Sequence, residues 1–330
     1  MQAKAIIFTA LGKVAMQPVD LPEPGPGQVQ VRTHFSTISA GTEGWILHNR
    51  FTWSPTRYPC IPGYQRVGVI EALGPDVSGW SIGEKVVATR SEWSPPLAAQ
   101  SGAHAALGNT PAVELYRVPA GVSDVDAAGT VVAQVGFNAA SRAQIEPGDW
   151  AVVYGDGLIG QCAAQAIRAR GVQVILVGHR AERLTVAAQT GADVVINSHT
   201  QDVVAEVQRH TGAQPVTAIL DSVQTENAQR EYVPLLARGT GQIVYCGFTP
   251  GTVWADMALL QQRELTTHFV SGWTRQRMAA TLDLMAQGNL TLQPLITHLV
   301  PAAEGPAMYR MIAEKQEQFL GITLDWRTTQ

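Results

Sequence analysis

The chain has 330 residues, enough for two domains of ordinary size, each with its own core. A hydrophobic content of 45% with 15% charged residues excludes a disordered chain. The net charge of -4, from 27 acidic and 23 basic side chains without a long basic run, gives no electrostatic case for nucleic acid or membrane binding. A small molecule is the expected partner. Cys60, Cys162 and Cys246 lie far apart and form no C-x-x-C pair, which fits a reducing cytoplasm better than a disulfide framework or a cysteine zinc cluster. Met1 to Lys4 leads directly into a strand-like run, and no apolar run approaches the roughly 18 residues needed to span a bilayer, so neither secretion nor membrane insertion is expected.

In chain order, the first part reads as short β-branched runs broken by turn residues: Ala5 to Phe8, Val29 to Thr33, Val67 to Ile70 and Lys85 to Thr89. The connector Leu21-Pro-Glu-Pro-Gly-Pro-Gly27 can continue neither a helix nor a central strand. This pattern predicts a β-rich, barrel-like domain. From about residue 125 strands and helices alternate. Strands are expected at Ala151 to Tyr154, Val172 to Val177, Val194 to Ile196, Ala218 to Leu220, Ile243 to Tyr245 and Leu265 to Val270. Helices are expected at Leu158 to Arg170, Ala181 to Gln189, Asp202 to His210 and Asn227 to Leu236. Parallel neighbours need a crossover, so the alternation predicts an α/β fold of the Rossmann type, a doubly wound parallel sheet. A further helix at Arg275 to Gln287 and a tail ending in Gly321 to Trp326 are expected to return to the first domain. The domains are therefore set at 1–124 with 272–330, and at 125–271.

The strand Ala151 to Tyr154 runs into Gly155-Asp-Gly157-Leu158-Ile159-Gly160, which opens a helix, and a second strand follows at the distance of a βαβ unit. Gly155 would make the turn, Gly157 would let backbone N–H groups approach a pyrophosphate, and Gly160 would let helix and strand pack closely. A tight turn without a ligand is the ordinary alternative. An NAD site places Asp or Glu about 20 residues after the glycines, to bind the ribose 2′-OH. This chain has Gly178-His179-Arg180 there, which leaves room for a 2′-phosphate and offers it a guanidinium fork and an imidazole. NADP(H) is the expected cofactor, with Gly247, just past a later strand, also assigned to its site. Alternatively, Arg180 is a solvated residue in the first turn of the next helix.

The layout resembles the medium-chain dehydrogenase/reductase superfamily over nearly the whole chain. Gly68-Val-Ile-Glu-Ala-Leu-Gly74-Pro-Asp-Val77 followed by Gly83-Glu84-Lys-Val86 looks like that family's signature in its barrel, the GroES-like catalytic domain. Within it, Ile38-Ser-Ala-Gly-Thr-Glu43, Tyr58-Pro-Cys-Ile-Pro-Gly-Tyr64, Leu295-Ile-Thr-His298 and Leu324-Asp-Trp326 are similar to the zinc-less branch typified by bacteriochlorophyllide a dehydrogenase. That branch oxidises a hydroxyethyl group on a tetrapyrrole to an acetyl group with a nicotinamide coenzyme. The chain departs from it at Gln65, where the branch has Glu, and in its clearer glycine motif. In zinc-containing relatives a Cys-Gly-Thr-Asp type segment and a Gly-His-Glu segment supply metal ligands. The resemblance places Ala40, Tyr64 and Gln65 at those positions, and Thr130 or Val131 at the third ligand, so no metal is expected.

Hydride transfer to or from a carbonyl carbon changes the charge on its oxygen, so without a Lewis acid a hydrogen-bond donor must sit beside that oxygen. Tyr64 is the first candidate, because a phenol with a pKa of about 10 is protonated at neutral pH. Thr42 aligns with the family's hydroxyl relay, and the Gln65 amide could orient the substrate. Each has an ordinary alternative: Tyr64 as a filler of the vacated space, and Thr42 as the cap of a helix starting near Glu43. Glu43 reads as an ion-pair partner rather than a base, while His34, His48 and His104 have no partner legible in sequence. Trp45, Phe51, Trp53, Tyr58 and Trp93 crowd the segment expected to line the substrate pocket, which suits a bulky, apolar substrate, although any one of them could simply anchor a loop.

The expected activity is a zinc-independent, NADP(H)-dependent interconversion of a secondary alcohol and a ketone on a fairly bulky apolar substrate. Two alternatives stand beside it: NADPH-dependent reduction of an activated C=C bond, as in quinone and enoyl reductases, and a coenzyme-binding sensor or structural protein without turnover. The resemblance also implies a homodimer, paired through the strand Leu265 to Val270.

Overall fold

The structure, a computed structural model, describes residues 1–252, 255–315 and 318–329. It divides into two compact units, Met1–Val131 with Ile296–Gln330, and Val132–Leu295.

The first unit is built from sheets of seven and four strands. Its spine is the strand Gln28–Ile38, which pairs antiparallel with Arg66–Leu73, Leu107–Pro111 and Gly321–Asp325. Register shifts at Gln30/Val31 and Thr33/Phe35 bend it, so that one strand can serve several partners. The glycines of the barrel signature sit where backbones nearly touch. A Cβ on Gly68 would fall 1.9 Å from the Arg32 carbonyl oxygen, and one on Gly74 would fall 2.0 Å from that of Gly25. The four-stranded sheet begins with Lys13–Asp20, whose Pro18 is tolerated because the strand is outermost and needs no donor on its free side. Cys60 lies buried in a short strand of the same sheet, Cys60–Ile61, where burial pushes its thiol up to about 12. All three cysteines are buried and free of disulfides.

The second unit carries the expected doubly wound sheet. Six parallel strands run in the order Val194–Asn197, Gln173–Gly178, Trp150–Tyr154, Ala218–Asp221, Gln242–Tyr245, Thr266–Phe269. Strand order reverses between Trp150–Tyr154 and Ala218–Asp221, and in such sheets the carboxyl ends of the strands at that reversal form the ligand crevice. The strands are almost fully apolar because helices cover both faces. Leu158–Arg168, Ala181–Thr190 and Val203–Thr211 end within two residues of the predicted limits. The helix expected over Asn227 to Leu236 is α-helical only as Glu226–Tyr232, capped by Thr225. Pro234 then turns the chain into the 3-10 segment Val233–Leu235, since proline lacks the N–H that would continue the helix.

Both unit boundaries lie later in the chain than the sequence reading set them. Asp124, which opens the short helix Asp124–Ala128, is held in the first unit by His34 at 2.8 Å and Lys85 at 2.5 Å. At the other end, Gln165 accepts from the Thr291 N–H at 2.8 Å and donates to the Thr291 carbonyl at 3.1 Å. That reciprocal pair ties the chain following the helix Arg275–Ala286 into the second unit, whereas residues 272–295 were expected in the first. The tail does return to the first unit, as the strand Gly321–Asp325. Among the described residues no helix is long and apolar enough to cross a membrane.

Candidate active site

In the second unit the strand Trp150–Tyr154 ends at Gly155, whose φ of 115° lies where side chains are strained. A Cβ there would also meet Ser222 Oγ at 2.2 Å. Gly157 has open space in the same position, and Leu158 and Ile159 follow it as the first residues of the helix Leu158–Arg168. A Cβ on Gly160 would fall 1.9 Å from the Gly155 carbonyl oxygen, so the helix can start this close to the strand only with glycine. The N–H groups of the first turn have no intrahelical partners and carry the positive end of the helix dipole, which suits a pyrophosphate. Gly247 lies against the neighbouring loop, its N–H donating to Asp221 O at 3.2 Å and its carbonyl accepting from Gln224 Nε2 at 2.8 Å.

Beside the glycines opens a pocket of about 640 Å³ whose wall includes Gly178, His179, Arg180, Arg183, Ser198 and His199. Its organiser is Asp156, the middle residue of the first glycine pair, which sequence reasoning passed over. The side chain is 4% exposed. One oxygen accepts from the backbone N–H of His179 and of Arg180, both at 2.9 Å; the other meets the guanidinium of Arg180 at 3.2 Å and of Arg183 at 3.3 Å. Burial opposes ionisation, but these N–H groups and guanidiniums outweigh it and hold the carboxyl below its ordinary pKa. A Cβ on Gly178 would lie 2.5 Å from Asp156 Cβ and 2.8 Å from Oδ2. A carboxylate side chain at position 178 is thus excluded by volume and repelled by charge. The His179 ring stacks on His199 at 4.7 Å, and burial, with Arg180 nearby, lowers the His179 pKa. Arg183 stands three residues beyond Arg180 near the start of the helix Ala181–Thr190, a spacing that could have flagged it.

In the first unit Tyr64 and Thr42 come together, as candidates from separate segments. The Tyr64 hydroxyl shares hydrogen bonds with the side chains of Ser39 and Thr42, and burial, then the charge of Glu43, pushes its pKa up to about 12. Ser39, not Thr42, precedes the helix Ala40–Leu47, and Thr42 lies in its first turn. Glu43 is fully buried. It accepts from the Ser39 N–H at 2.8 Å, from His104 Nε2 at 2.9 Å and from the Tyr309 hydroxyl. The other His104 nitrogen meets Ser36 Oγ at 2.8 Å, and Ser36 Oγ accepts from Trp326 Nε1 at 2.8 Å. A Cβ on Gly63 would stand 2.6 Å from the His104 ring, so the residue before Tyr64 must be glycine for the imidazole to fit. Burial and Glu43 raise the Tyr309 pKa well above the phenol range, so its hydroxyl stays a donor.

The remaining candidates divide. Gln65 is fully buried with its amide donating to Thr37 O at 3.2 Å, inside the sheet. Trp45, Phe51 and Trp53 form a run, with centroids 5.9 and 5.1 Å apart. Tyr58 instead donates to the Ile46 and Leu47 carbonyls, and Trp93 donates to Gly102 O while packing with Leu97 on another core cluster. The residues at the family's ligand positions do not fit a zinc ion. Ala40, Tyr64 and Gln65 offer neither thiolate nor imidazole, and the Thr130 hydroxyl is engaged with Ala127 O at 2.7 Å. Among the described residues no group of three His, Cys, Asp or Glu side chains could hold a metal.

Two family profiles match the sequence: the alcohol dehydrogenase GroES-like domain over residues 25–120 and the zinc-binding dehydrogenase over residues 159–287. The chain belongs to the medium-chain dehydrogenase/reductase superfamily. It is an oxidoreductase of the alcohol dehydrogenase kind. It is 27% identical over 336 residues to the 2-desacetyl-2-hydroxyethyl bacteriochlorophyllide A dehydrogenase of Cereibacter sphaeroides, covering 100% of both chains. Two solved structures share the fold. The rspB alcohol dehydrogenase of Escherichia coli CFT073, complexed with NADH, has a TM-score of 0.84 at 22% identity. A protein assigned to the zinc-binding dehydrogenases, from Sinorhizobium meliloti 1021 and bound to NADP, has a TM-score of 0.85 at 19% identity. Each alignment covers 98% of this chain and 99% of the other.

Asp156→Asn should cost about 3 kcal/mol in urea unfolding at neutral pH, because two guanidiniums lose a buried counter-charge. The native pKa lies below the unfolded value of 3.8, so the contribution is complete above that value and fades as pH falls through the native pKa. The gap between wild type and variant should therefore close in acid below about pH 4; a gap that is constant with pH would show that the carboxylate charge is not what holds this loop.

Proposed function

We propose that the chain is a zinc-independent, NADP(H)-dependent oxidoreductase that interconverts a secondary alcohol and a ketone on a fairly bulky, apolar substrate. The observation that carries this reading is the Tyr64 phenol, held protonated among the Ser39 and Thr42 hydroxyls where zinc-containing relatives would bind their metal. The coenzyme, when bound, supplies or accepts the hydride. Gly155, Gly157, Gly160 and the N-terminus of the helix Leu158–Arg168 would hold its pyrophosphate, and Arg180, Arg183, His179 and His199 its ribose phosphate. Structural neighbours carry NADH in one case and NADP in another, so the choice rests on this chain's own residues. The pocket wall carries two guanidiniums, Arg180 and Arg183, beside two carboxylates, Asp156 and Glu231, so the preference for NADP(H) rests on the guanidinium fork and on Asp156 excluding the acid that an NAD site needs at position 178.

Tyr64 would donate its hydroxyl hydrogen to the carbonyl oxygen as charge gathers there. The buried Glu43 charge disfavours a tyrosinate, so a proton given up at Tyr64 Oη would be restored from water, relayed through the Ser39 and Thr42 hydroxyls that bond to it. In the alcohol-to-ketone direction the same three hydroxyls carry the proton away. Tyr309 and His104 keep Glu43 satisfied and fixed, which keeps the field on Tyr64 constant. We also propose a homodimer. Its support is the outermost strand Thr266–Phe269, with Phe269 80% exposed at the open edge of the sheet.

Three measurements test these proposals. Arg180→Ala should weaken NADPH about tenfold in a fluorescence titration and NADH by less than about twofold; equal losses would remove Arg180 from the phosphate site. Tyr64→Phe should lower ketone-reduction turnover about a hundredfold with unchanged coenzyme affinity, and undiminished turnover would reduce Tyr64 to a filler. Sedimentation velocity should give a dimer that Phe269→Asp converts to monomer; a wild-type monomer would end the dimer proposal.

A further inference from the structure

The first unit holds a separate hollow of about 690 Å³ whose wall includes Trp53, Pro55, Arg57, Arg90 and Gln100. Two guanidiniums share it and no acid lines it. Among the described residues neither Arg57 nor Arg90 has an ion pair or side-chain hydrogen bond. Several exposed arginines do face carboxylates, as Arg32 faces Glu71 at 2.5 Å, Arg168 faces Asp193 at 3.2 Å and Arg327 faces Asp325 at 2.7 Å, while Arg50, Arg238 and Arg310 also stand without one among the described residues. What sets Arg57 and Arg90 apart is that they share one hollow. Like charges lining one hollow repel, and an oxyanion placed between them turns that repulsion into two charge-assisted contacts.

The apolar wall has its own direction. Trp53 is 57% exposed, a large ring left in water unless something covers it. It continues through Phe51 to Trp45, whose ring lies 3.9 Å from where a Cβ on Gly41 would stand, one residue before Thr42. An aromatic run thus leads from the helix bearing Thr42 to the two arginines. Sequence reading took these rings as an apolar pocket and gave the arginines no part.

We propose that this hollow anchors the substrate by an oxyanion, a carboxylate or a phosphate, at the end remote from the reacting carbonyl. Arg57 and Arg90 clamp the charged group, Gln100 offers its amide, and Trp53 covers the apolar body next to it. The substrate is then an amphiphile with an apolar frame and an acidic end. The inference rests on the alcohol/ketone reading above, which by itself asks only for an apolar substrate.

The test uses acetylnaphthoic acid, its uncharged primary amide and acetylnaphthyl phosphate, titrated calorimetrically into the wild type, Arg57→Gln, Arg90→Gln and the double variant. NADPH oxidation is followed on the same compounds. The acid should bind about tenfold tighter than the amide at low ionic strength, and salt should erode the difference because the site is open to solvent. The double variant should lose the preference, with KM for the acid raised and kcat unchanged, since the clamp grips ground and transition states alike. Tighter binding of the phosphate than of the acid would name phosphate as the group, and the reverse would name carboxylate. Equal binding of acid and amide, or a preference that survives in the double variant, overturns the proposal. Turnover of all the ketones without regard to charge would leave the oxidoreductase standing and remove this site. Selective binding of the acid with no NADPH oxidation would keep the site and remove the activity.

Discussion

A carboxylate taken out of water must find its donors inside the protein, and at the coenzyme end of this molecule that requirement falls on Asp156. Its side chain projects from the glycine loop and draws in the backbone of His179 and Arg180 and the guanidiniums of Arg180 and Arg183. The end of the strand Gln173–Gly178 is therefore pinned against the glycine loop, and Gly178 has no freedom to become anything larger. The same contact that shapes the loop also orients the guanidiniums of Arg180 and Arg183, the cations of the proposed ribose-phosphate site. If the proposed NADP(H) site holds, coenzyme preference and local stability share one cause, and a substitution aimed at either should disturb both.

The first unit repeats the device with Glu43. Its donors come from Ser39, just ahead of the helix Ala40–Leu47, from His104 and from Tyr309, and the network runs on through Ser36 to Trp326 near the C-terminus. Where zinc-containing relatives would concentrate positive charge in a metal ion, the proposed site has the charge of Glu43 acting on the Tyr64 phenol. On the proposed mechanism the consequences are opposite: a metal would stabilise an oxyanion directly, whereas Glu43 would secure the proton that Tyr64 gives.

The parallel sheet was legible because each strand is a nearly continuous apolar run ending in turn residues, and the glycine loop because its spacing reflects backbone contacts. Asp156 escaped notice because the variable position inside a glycine motif carries no pattern of its own. Glu43 met its partners only in the fold: His104 lies 61 positions away and Tyr309 lies 266, distances no local periodicity encodes. The strand Lys13–Asp20 was masked by Pro18, a residue that propensity counts against a strand, while the helix expected near Glu43 starts earlier, at Ala40. The later unit boundaries were not legible because the helix that Asp124 opens and the chain at Thr291 are anchored by partners far off in sequence.

Tyr64 doing without a metal the work that zinc does in relatives is the claim on which the account turns. The most direct measurement follows deuterium from the C4 position of labelled NADPH to a ketone, using protein exhaustively treated with a chelator and assayed for residual zinc. The account predicts label on the carbinol carbon at an undiminished rate in metal-free protein. Transfer that stops on chelation and returns with added zinc would contradict it.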